Sequence, residues 1–160
     1  MFRPMRRIRQ QLSEAETLEL LREGTSGVLA VAGDEGYPYA VPLSYVYDEG
    51  RLYFHCAAAG HKLDAIAAND KVSFCVIGRD DVWPEKFTTR FRSAIAFGRA
   101  RLLEGEEKRR ALEILSDKYC PVDVSARNRE IDGSFDRVRM ICLEIEHLTG
   151  KEAIELVKEK

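Results

Sequence analysis

The sequence predicts a mainly β (α+β) fold, a small antiparallel barrel with helices packed on its outside. About six segments have the length and apolar pattern of strands, and several follow one another through short turns, as in a meander rather than a βαβ unit. No Gly-x-Gly-x-x-Gly motif follows a strand, so a Rossmann dinucleotide site has no support. A chain of 160 residues has the size of one domain with a sizeable core.

Caps and turns signal the first helix and the three strands after it. Residues 1–12 are basic but lack the apolar segment of a secretory signal, and we expect a flexible N-terminal arm. Ser13 and Glu16 form a capping box, which opens a helix that runs to about Glu23. Strands are predicted over residues 27–32, 37–47 and 51–56, with the turns Asp34-Glu-Gly36 and Asp48-Glu-Gly50 between them.

The second half of the chain alternates helices and strands. Helices are predicted over 60–69 and 104–119, strands over 71–77, 91–103 and 138–146, and a loop over 79–90. Gly98 interrupts its strand, where a bulge or bend would let the sheet curl. Residues 126–136 give no clear signal, and residues 147–160 are expected to form a polar tail or helix.

Composition excludes several classes of function. The 25 Lys and Arg residues are balanced by 27 Asp and Glu residues, and 45% of the chain is apolar, which excludes a disordered protein. Bulk charge does not favour a nucleic-acid partner, and no apolar run approaches the ~20 residues that span a bilayer. The four cysteines form no CxxC pair or Cys/His cluster, so we expect no metal site and reduced thiols in a cytoplasmic protein.

One stretch carries the strongest indication of a ligand. Pro42 lies inside an apolar strand, where its missing N–H is tolerated at an edge or beside a ligand. The small residues 57–60 leave room for a ligand to approach the backbone. His61 and Lys62 then open a helix, and a helix N-terminus with two potentially cationic side chains suits a phosphate group. These features together favour a phosphorylated cofactor lying across the strands.

The order of these motifs resembles a known family. Val41-Pro42-Leu43-Ser44-Tyr45, Leu52-Tyr-Phe-His-Cys56, Gly60-His-Lys62, Val72-Ser-Phe-Cys-Val76 and Phe87-Thr-Thr-Arg-Phe-Arg-Ser-Ala-Ile-Ala-Phe-Gly-Arg-Ala100 follow one another as in the flavin-binding split-barrel superfamily of pyridoxamine 5′-phosphate oxidase. Within it, the chain is most similar to the branch of nitroimidazole-resistance proteins. The resemblance covers residues 13–146. It implies a six-stranded antiparallel split β-barrel with flanking helices, in a single FMN-binding domain over 1–160.

The resemblance also implies a set of site residues. In one subunit, the flavin ring and ribityl chain are bordered by Pro42, Leu43, Ser44, Tyr45, His55, Cys56 and Ala57. His61 and Lys62 hold the phosphate. The flavin lies at a homodimer interface, where the second subunit contributes from Trp83, Phe87, Thr88, Thr89, Arg90 and Ser93. The basic residues with which the oxidase binds pyridoxal phosphate are not evident, so vitamin B6 oxidation is not expected.

Each assignment has an ordinary structural alternative. Lys62 could be a solvated lysine and His55 a packed, hydrogen-bonded histidine. Trp83 could anchor a loop, and Cys56 could be a small apolar filler. These readings stay open at the level of sequence.

The function expected is an FMN-dependent oxidoreductase of small molecules that reduces nitroaromatic or quinone-like acceptors, with His55 or Tyr45 as the proton donor. The alternative is a non-catalytic module that binds or senses a flavin or haem, with His55 or His61 as an axial haem ligand. FAD and haem are therefore alternatives to FMN. A third reading, nucleic-acid binding by the arginines of residues 1–9, conflicts with the acidic remainder of the chain.

Overall fold

A computed structural model describes residues 1–160 as one curled antiparallel sheet with five helices around it. The strands are β1 (Ser26–Ala32), β2 (Pro38–Ser44), β3 (Val46–Asp48), β4 (Arg51–Cys56), β5 (Lys71–Trp83), β6 (Thr88–Leu103) and β7 (Arg139–Glu152). The helices are α1 (Glu14–Glu23), α2 (His61–Ala68), α3 (Gly105–Tyr119), α4 (Val124–Ser134) and α5 (Ile154–Lys158). No helix combines the length and apolar character needed to cross a membrane.

The sheet closes only partly into a barrel. Its strand order is β2-β1-β5-β6-β7-β4-β3, so β2 lies at one edge and β3 with β4 at the other. β2 and β4 contact each other without forming a ladder, which leaves a split between them. The register of β6 against β7 shifts at Gly98, where an added Cβ would lie 2.0 Å from the Glu144 carbonyl oxygen. The predicted bulge at Gly98 is therefore confirmed.

The inner face of the curled sheet forms the larger hydrophobic core. Strand residues alternate in and out, and the inward ones, such as Leu29, Phe54 and Phe74, are almost completely buried. Helix α1, whose capping box at Ser13 is present as predicted, adds Leu20 and Leu21 to this core. The core therefore links the strands on both sides of the split.

The outer face of the sheet is covered on one half only. Over β3, β4 and β7, helices α3 and α4 pack on Val46, Tyr53, Met140 and Cys142, which are buried. We call this the covered half. Over β1, β5 and β6, no helix covers the outward residues Val28, Cys75, Ile77, Ile95 and Phe97, and all except half-buried Cys75 are exposed. At one end of this face Phe2 of the N-terminal arm contacts Phe97, with ring centroids 5.5 Å apart. We call this the bare half.

The sheet has seven strands rather than six because the predicted strand over 37–47 is interrupted at Tyr45. The Tyr45 N–H donates to the Tyr119 hydroxyl at 2.9 Å, and the Tyr45 carbonyl accepts from that hydroxyl at 2.6 Å and from Lys118 Nζ at 3.1 Å. Side chains of α3 therefore take the backbone groups that would otherwise continue the ladder. The remainder of the segment forms β2 and β3.

The prediction of a loop over 79–90 was wrong. β5 continues to Trp83 and β6 begins at Thr88, and a single 3-10 turn, Pro84–Lys86, joins them. Residues 79–91 form a two-stranded extension that projects beyond the rest of the sheet, and we call it the hairpin extension. Its many charged residues hide the apolar pattern of a strand, since neither of its faces is packed in the core.

The terminal segments also differ from expectation. β7 runs to Glu152, not Glu146, because residues 147–152 pair with β6, and only residues 154–158 form a helix. Residues 126–136 lie mostly in α4, which is capped by Asp123. In the N-terminal arm, Gln10 and Leu12 are buried, so the end of that segment is packed rather than free.

Candidate functional site

The split in the barrel exposes one edge of β2. This strand pairs with β1 alone, from Ser26↔Ser44 to Ala32↔Pro38, so its other edge offers backbone polar groups without a strand partner. Val41 and Leu43 turn toward the core, while Pro42 and Ser44 point outward and are exposed. A planar ligand placed along this edge would meet apolar side chains and free backbone groups together.

The loop after β4 and the start of α2 lie beside this edge. Residues 57–60 are exposed, and Gly60 has a φ of +149°, which an L-residue rarely adopts. The His61 ring stacks on Tyr39 of β2, with ring centroids 4.2 Å apart. His61 Nε2 is buried and has no hydrogen-bond partner, and the nearest carboxylate oxygen, on Asp34, is 3.7 Å away. The Nε2 atom is therefore one candidate contact for a ligand oxygen at the start of α2.

Two cations lie near the Cys56 thiol at the end of β4. Cys56 points into the core, and burial raises the pKa of its thiol, while the positive charges of Lys62 and Arg139 act in the opposite direction. Arg139 is the strand partner of Cys56 across β4 and β7, and its guanidinium donates to the carbonyls of Asp136 (3.1 Å) and Val138 (3.3 Å). The sequence did not indicate Arg139 because only the pairing of two distant segments brings it beside Cys56.

The structure separates the two residues considered as proton donors. Tyr45 is fully buried, and its hydroxyl donates to the Leu21 carbonyl at 2.7 Å. Burial raises the pKa of its phenol well above the ordinary value, so the structure gives no support to Tyr45 as a proton donor. His55 is exposed at the end of β4, and its side chain lies on the opposite face of that strand from Cys56.

The residues expected to act across a dimer interface lie on or beside the hairpin extension, and they divide between its two faces. Thr89 and Ser93 lie on the side that continues the bare half, and Phe87 at the turn is fully exposed. Three residues, Trp83, Thr88 and Arg90, point to the opposite side, where the Arg90 guanidinium stacks on the Trp83 ring at 3.8 Å. Only the first group faces outward with the bare half.

Comparison with known proteins identifies the family. The sequence profile described as pyridoxamine 5′-phosphate oxidase matches residues 13–152, which is most of the chain. The chain belongs to the pyridoxamine 5′-phosphate oxidase family. This finding confirms the resemblance derived from the order of the motifs. Among curated proteins, none matches the sequence.

Solved structures share the split-barrel fold of the family. A protein from Bacteroides thetaiotaomicron described as a 5-nitroimidazole antibiotic resistance protein superposes with a TM-score of 0.78 at 23% identity, over 89% of this chain and 86% of its own. An FAD-binding protein from Mesorhizobium loti is 28% identical, over 90% and 97% of the two chains, with a TM-score of 0.63. An FAD and haem binding protein from Mycobacterium smegmatis superposes with a TM-score of 0.76 at 22% identity, over 90% of this chain and 73% of its own.

Proposed function

We propose that this protein is an FMN-dependent oxidoreductase of small molecules that works as a cytoplasmic homodimer. The observation that carries the proposal is the site at the split of the barrel, where a free strand edge, a loop of small residues and a helix start with His61 and Lys62 lie together. The family and the flavin-binding proteins with the same fold support it. The acceptor would be a nitroaromatic or quinone-like compound, which agrees with the described role of the Bacteroides protein.

The phosphate of FMN fits the end of the site near α2. Lys62 and Arg139 supply positive charge near Cys56, the α2 N-terminus offers free backbone N–H groups, and His61 Nε2 makes no hydrogen bond within the chain. A dianionic phosphate would satisfy all three features. Arg139 thus joins His61 and Lys62 in the proposed phosphate site.

The flavin ring and ribityl chain would lie along β2. Pro42, Leu43 and Ser44 border this edge, and Cys56 and Ala57 follow at the end of β4. Tyr45 would support the site from below through its buried hydrogen bonds rather than touch the ring. Ring atoms that donate or accept hydrogen bonds would find the unpaired backbone groups of the strand edge.

A second copy of the chain would cover the bare half. Ile77, Ile95 and Phe97 leave 65%, 38% and 38% of their surface exposed on one continuous face, which is unusual for an isolated domain. In a two-fold dimer the same face of each copy packs against the other, so the bare halves of the two copies would bury each other's apolar residues. Thr89, Ser93 and Phe87 lie beside that face and could reach the partner's flavin.

The division of labour in such an enzyme follows from its cofactor. When bound, FMN supplies the hydride and electron chemistry, and the protein supplies binding, orientation and electrostatics. Lys62, Arg139 and His61 would fix the phosphate, and the β2 edge would fix the plane of the ring. His55, the exposed member of the two candidates, would hold a proton for the reduced acceptor.

The first test is the absorption spectrum of the purified protein, with and without added FMN, and titrations with FMN and riboflavin. We expect FMN to bind more tightly, because riboflavin lacks the phosphate. Lys62→Ala should weaken the binding of FMN by about 1.5–3 kcal/mol, roughly a ten- to hundredfold rise in Kd, and leave the Kd for riboflavin unchanged. Lys71→Ala, which removes an exposed lysine at the start of β5, is the matched control. No flavin absorption after addition of FMN would end the proposal.

A haem-binding module is the second candidate, favoured by the exposed imidazole of His55 and by the FAD and haem binding protein that shares the fold. His61 is less suited as an axial ligand, since its ring is stacked on Tyr39 and its Nε2 lies 3.7 Å from the Asp34 carboxylate. A Soret band that is lost in His55→Ala would support this function. Tight FMN binding that no pyridine nucleotide can reduce would instead indicate a flavin-binding protein without turnover.

A further inference from the structure

The hairpin extension lacks the neighbours that stabilise the other strands. β1 pairs with β5 only over residues 73–75, and β7 pairs with β6 only from Arg92 onward. Residues 79–91 are therefore held in a sheet by each other alone. A two-stranded hairpin by itself is at best marginally stable in water, so contacts from outside the sheet must decide its orientation.

The C-terminal segment, residues 152–160, supplies those contacts. Three alternate residues of β6 each meet a carboxylate: Thr88 Oγ1 donates to Glu155 at 3.2 Å, Arg90 lies 3.6 Å from Glu159, and Arg92 lies 2.9 Å from Glu152. Between them, the Ala153 N–H donates to the Phe91 carbonyl at 2.9 Å. The β6 strand of the hairpin extension is thus attached to the C-terminal segment at Thr88, Arg90 and Phe91, on the face opposite the bare half, which we call its inner face.

The buried carboxylate of Glu152 connects the C-terminal segment to the body of the barrel. Glu152 is 2% exposed, and its second carboxylate oxygen accepts from Lys160 Nζ at 2.8 Å, which also pairs with Glu16 of α1. Gln10 donates to the Glu152 carbonyl at 2.9 Å. A buried carboxylate with two cationic partners holds the segment to the body of the barrel.

We propose that the C-terminal segment acts as an anchor, which holds the hairpin extension in the orientation that lets Phe87, Thr89 and Ser93 complete the flavin site of a partner copy. This inference rests on the proposed function. Glu155 and Glu159 are positioning residues, because they act through Thr88 and Arg90 on the inner face while the residues that reach the partner lie on the outer face or at the turn. Because the hairpin is already held in place, flavin binding does not have to supply the free energy for ordering it.

The test is the double variant Glu155→Ala and Glu159→Ala, which leaves Glu152 and the core untouched. The matched control is Glu106→Ala and Glu130→Ala, two exposed glutamates in α3 and α4 that form no ion pair, so the change in charge is the same. If the hairpin then takes the competent orientation one time in ten, the apparent Kd for FMN rises about tenfold. We also expect faster hydrogen exchange in residues 79–91 than in the wild type, with no change in β1 and β4.

The two hypotheses fail in different ways. An FMN affinity of the double variant equal to that of the control, while the wild type binds FMN, would overturn the anchor. As single variants, Glu155→Gln keeps an oxygen that Thr88 can donate to, whereas Glu155→Ala does not. We therefore expect Glu155→Gln to bind FMN more tightly than Glu155→Ala. A wild-type protein that binds no FMN would overturn the proposed function instead, and the hydrogen-exchange comparison would still decide whether the segment holds the hairpin.

Discussion

The covered and bare halves of the outer face differ in one respect, which is whether helices of the same chain pack on them. Both halves are built from strands of one sheet and carry outward apolar residues. On the covered half, α3 and α4 bury Met140 and Cys142 completely. On the bare half, Ile95 and Phe97 keep 38% of their surface exposed. The chain thus covers one side of the barrel itself and leaves the other side exposed, which is the face that we propose a second copy covers.

The largest effect should come from truncating one side chain on each half. Met140→Ala leaves a cavity under α3 and should lower the free energy of unfolding by about 2–5 kcal/mol. Ile95→Ala should change the unfolding of the isolated monomer by less than about 1 kcal/mol, because its side chain is already in contact with water. Denaturant titrations at concentrations low enough to keep the protein monomeric will measure both. Equal losses would remove the distinction between the halves.

A charge on the bare half should break the dimer without unfolding the chain. In Ile95→Asp, the carboxylate would have to be buried unpaired at the interface, and we expect the dimer dissociation constant to rise at least about hundredfold. Val122→Asp, at an exposed position in the loop between α3 and α4, is the control. Sedimentation velocity separates monomer from dimer. If Ile95→Asp still forms a dimer, the interface does not lie on the bare half.

The covered half should be sensitive to the contact that ties α3 to the strand break. Tyr119→Phe removes the hydroxyl that accepts from the Tyr45 N–H and donates to its carbonyl. A backbone N–H left without its partner costs about 1–3 kcal/mol, and thermal unfolding should show a loss of that size. Tyr37→Phe, at an exposed tyrosine, should be neutral. A neutral Tyr119→Phe would mean that water replaces the hydroxyl.

The smallest effect is a difference in thiol reactivity. Burial raises the pKa of Cys142 on the covered half to about 11, and it also raises the pKa of half-buried Cys75 on the bare half. At pH 8 a thiol with a pKa near 11 is about one part in a thousand thiolate, so native Cys142 should resist alkylation. The thiolate fraction of Cys142 grows as pH rises, but burial still keeps the alkylating reagent from its sulfur.

Cys75 should respond to the state of assembly. In the dimer we expect slow labelling, and in monomeric Ile95→Asp faster labelling, while exposed Cys120 reacts in both. Mass spectrometry of alkylated peptides distinguishes the cysteines. Labelling of Cys75 at one rate in dimer and monomer would show that the bare half stays open to solvent after dimerisation.

The sequence predicted the elements that local chemistry specifies. The capping box at Ser13, the turns that end in Gly36 and Gly50 and the bulge at Gly98 can each be identified from a few neighbouring residues. The loop predicted over residues 79–90 was wrong because strand pairing, and not apolar alternation, stabilises the hairpin extension. The break at Tyr45 was missed for a related reason, since it depends on side chains of a helix much later in the chain.

For the proposed site, the sequence by itself determined the residue types that predict it: a proline in a strand, a loop of small residues, and a histidine and lysine at a helix start. Only the tertiary structure decided which residues lie near one another. Strand pairing brought Arg139 beside Cys56, the alternation of β4 sent His55 and Cys56 to opposite faces, and the core enclosed Tyr45. The physical reason is that residue type sets what a side chain can bind, while burial and pairing set what it can reach.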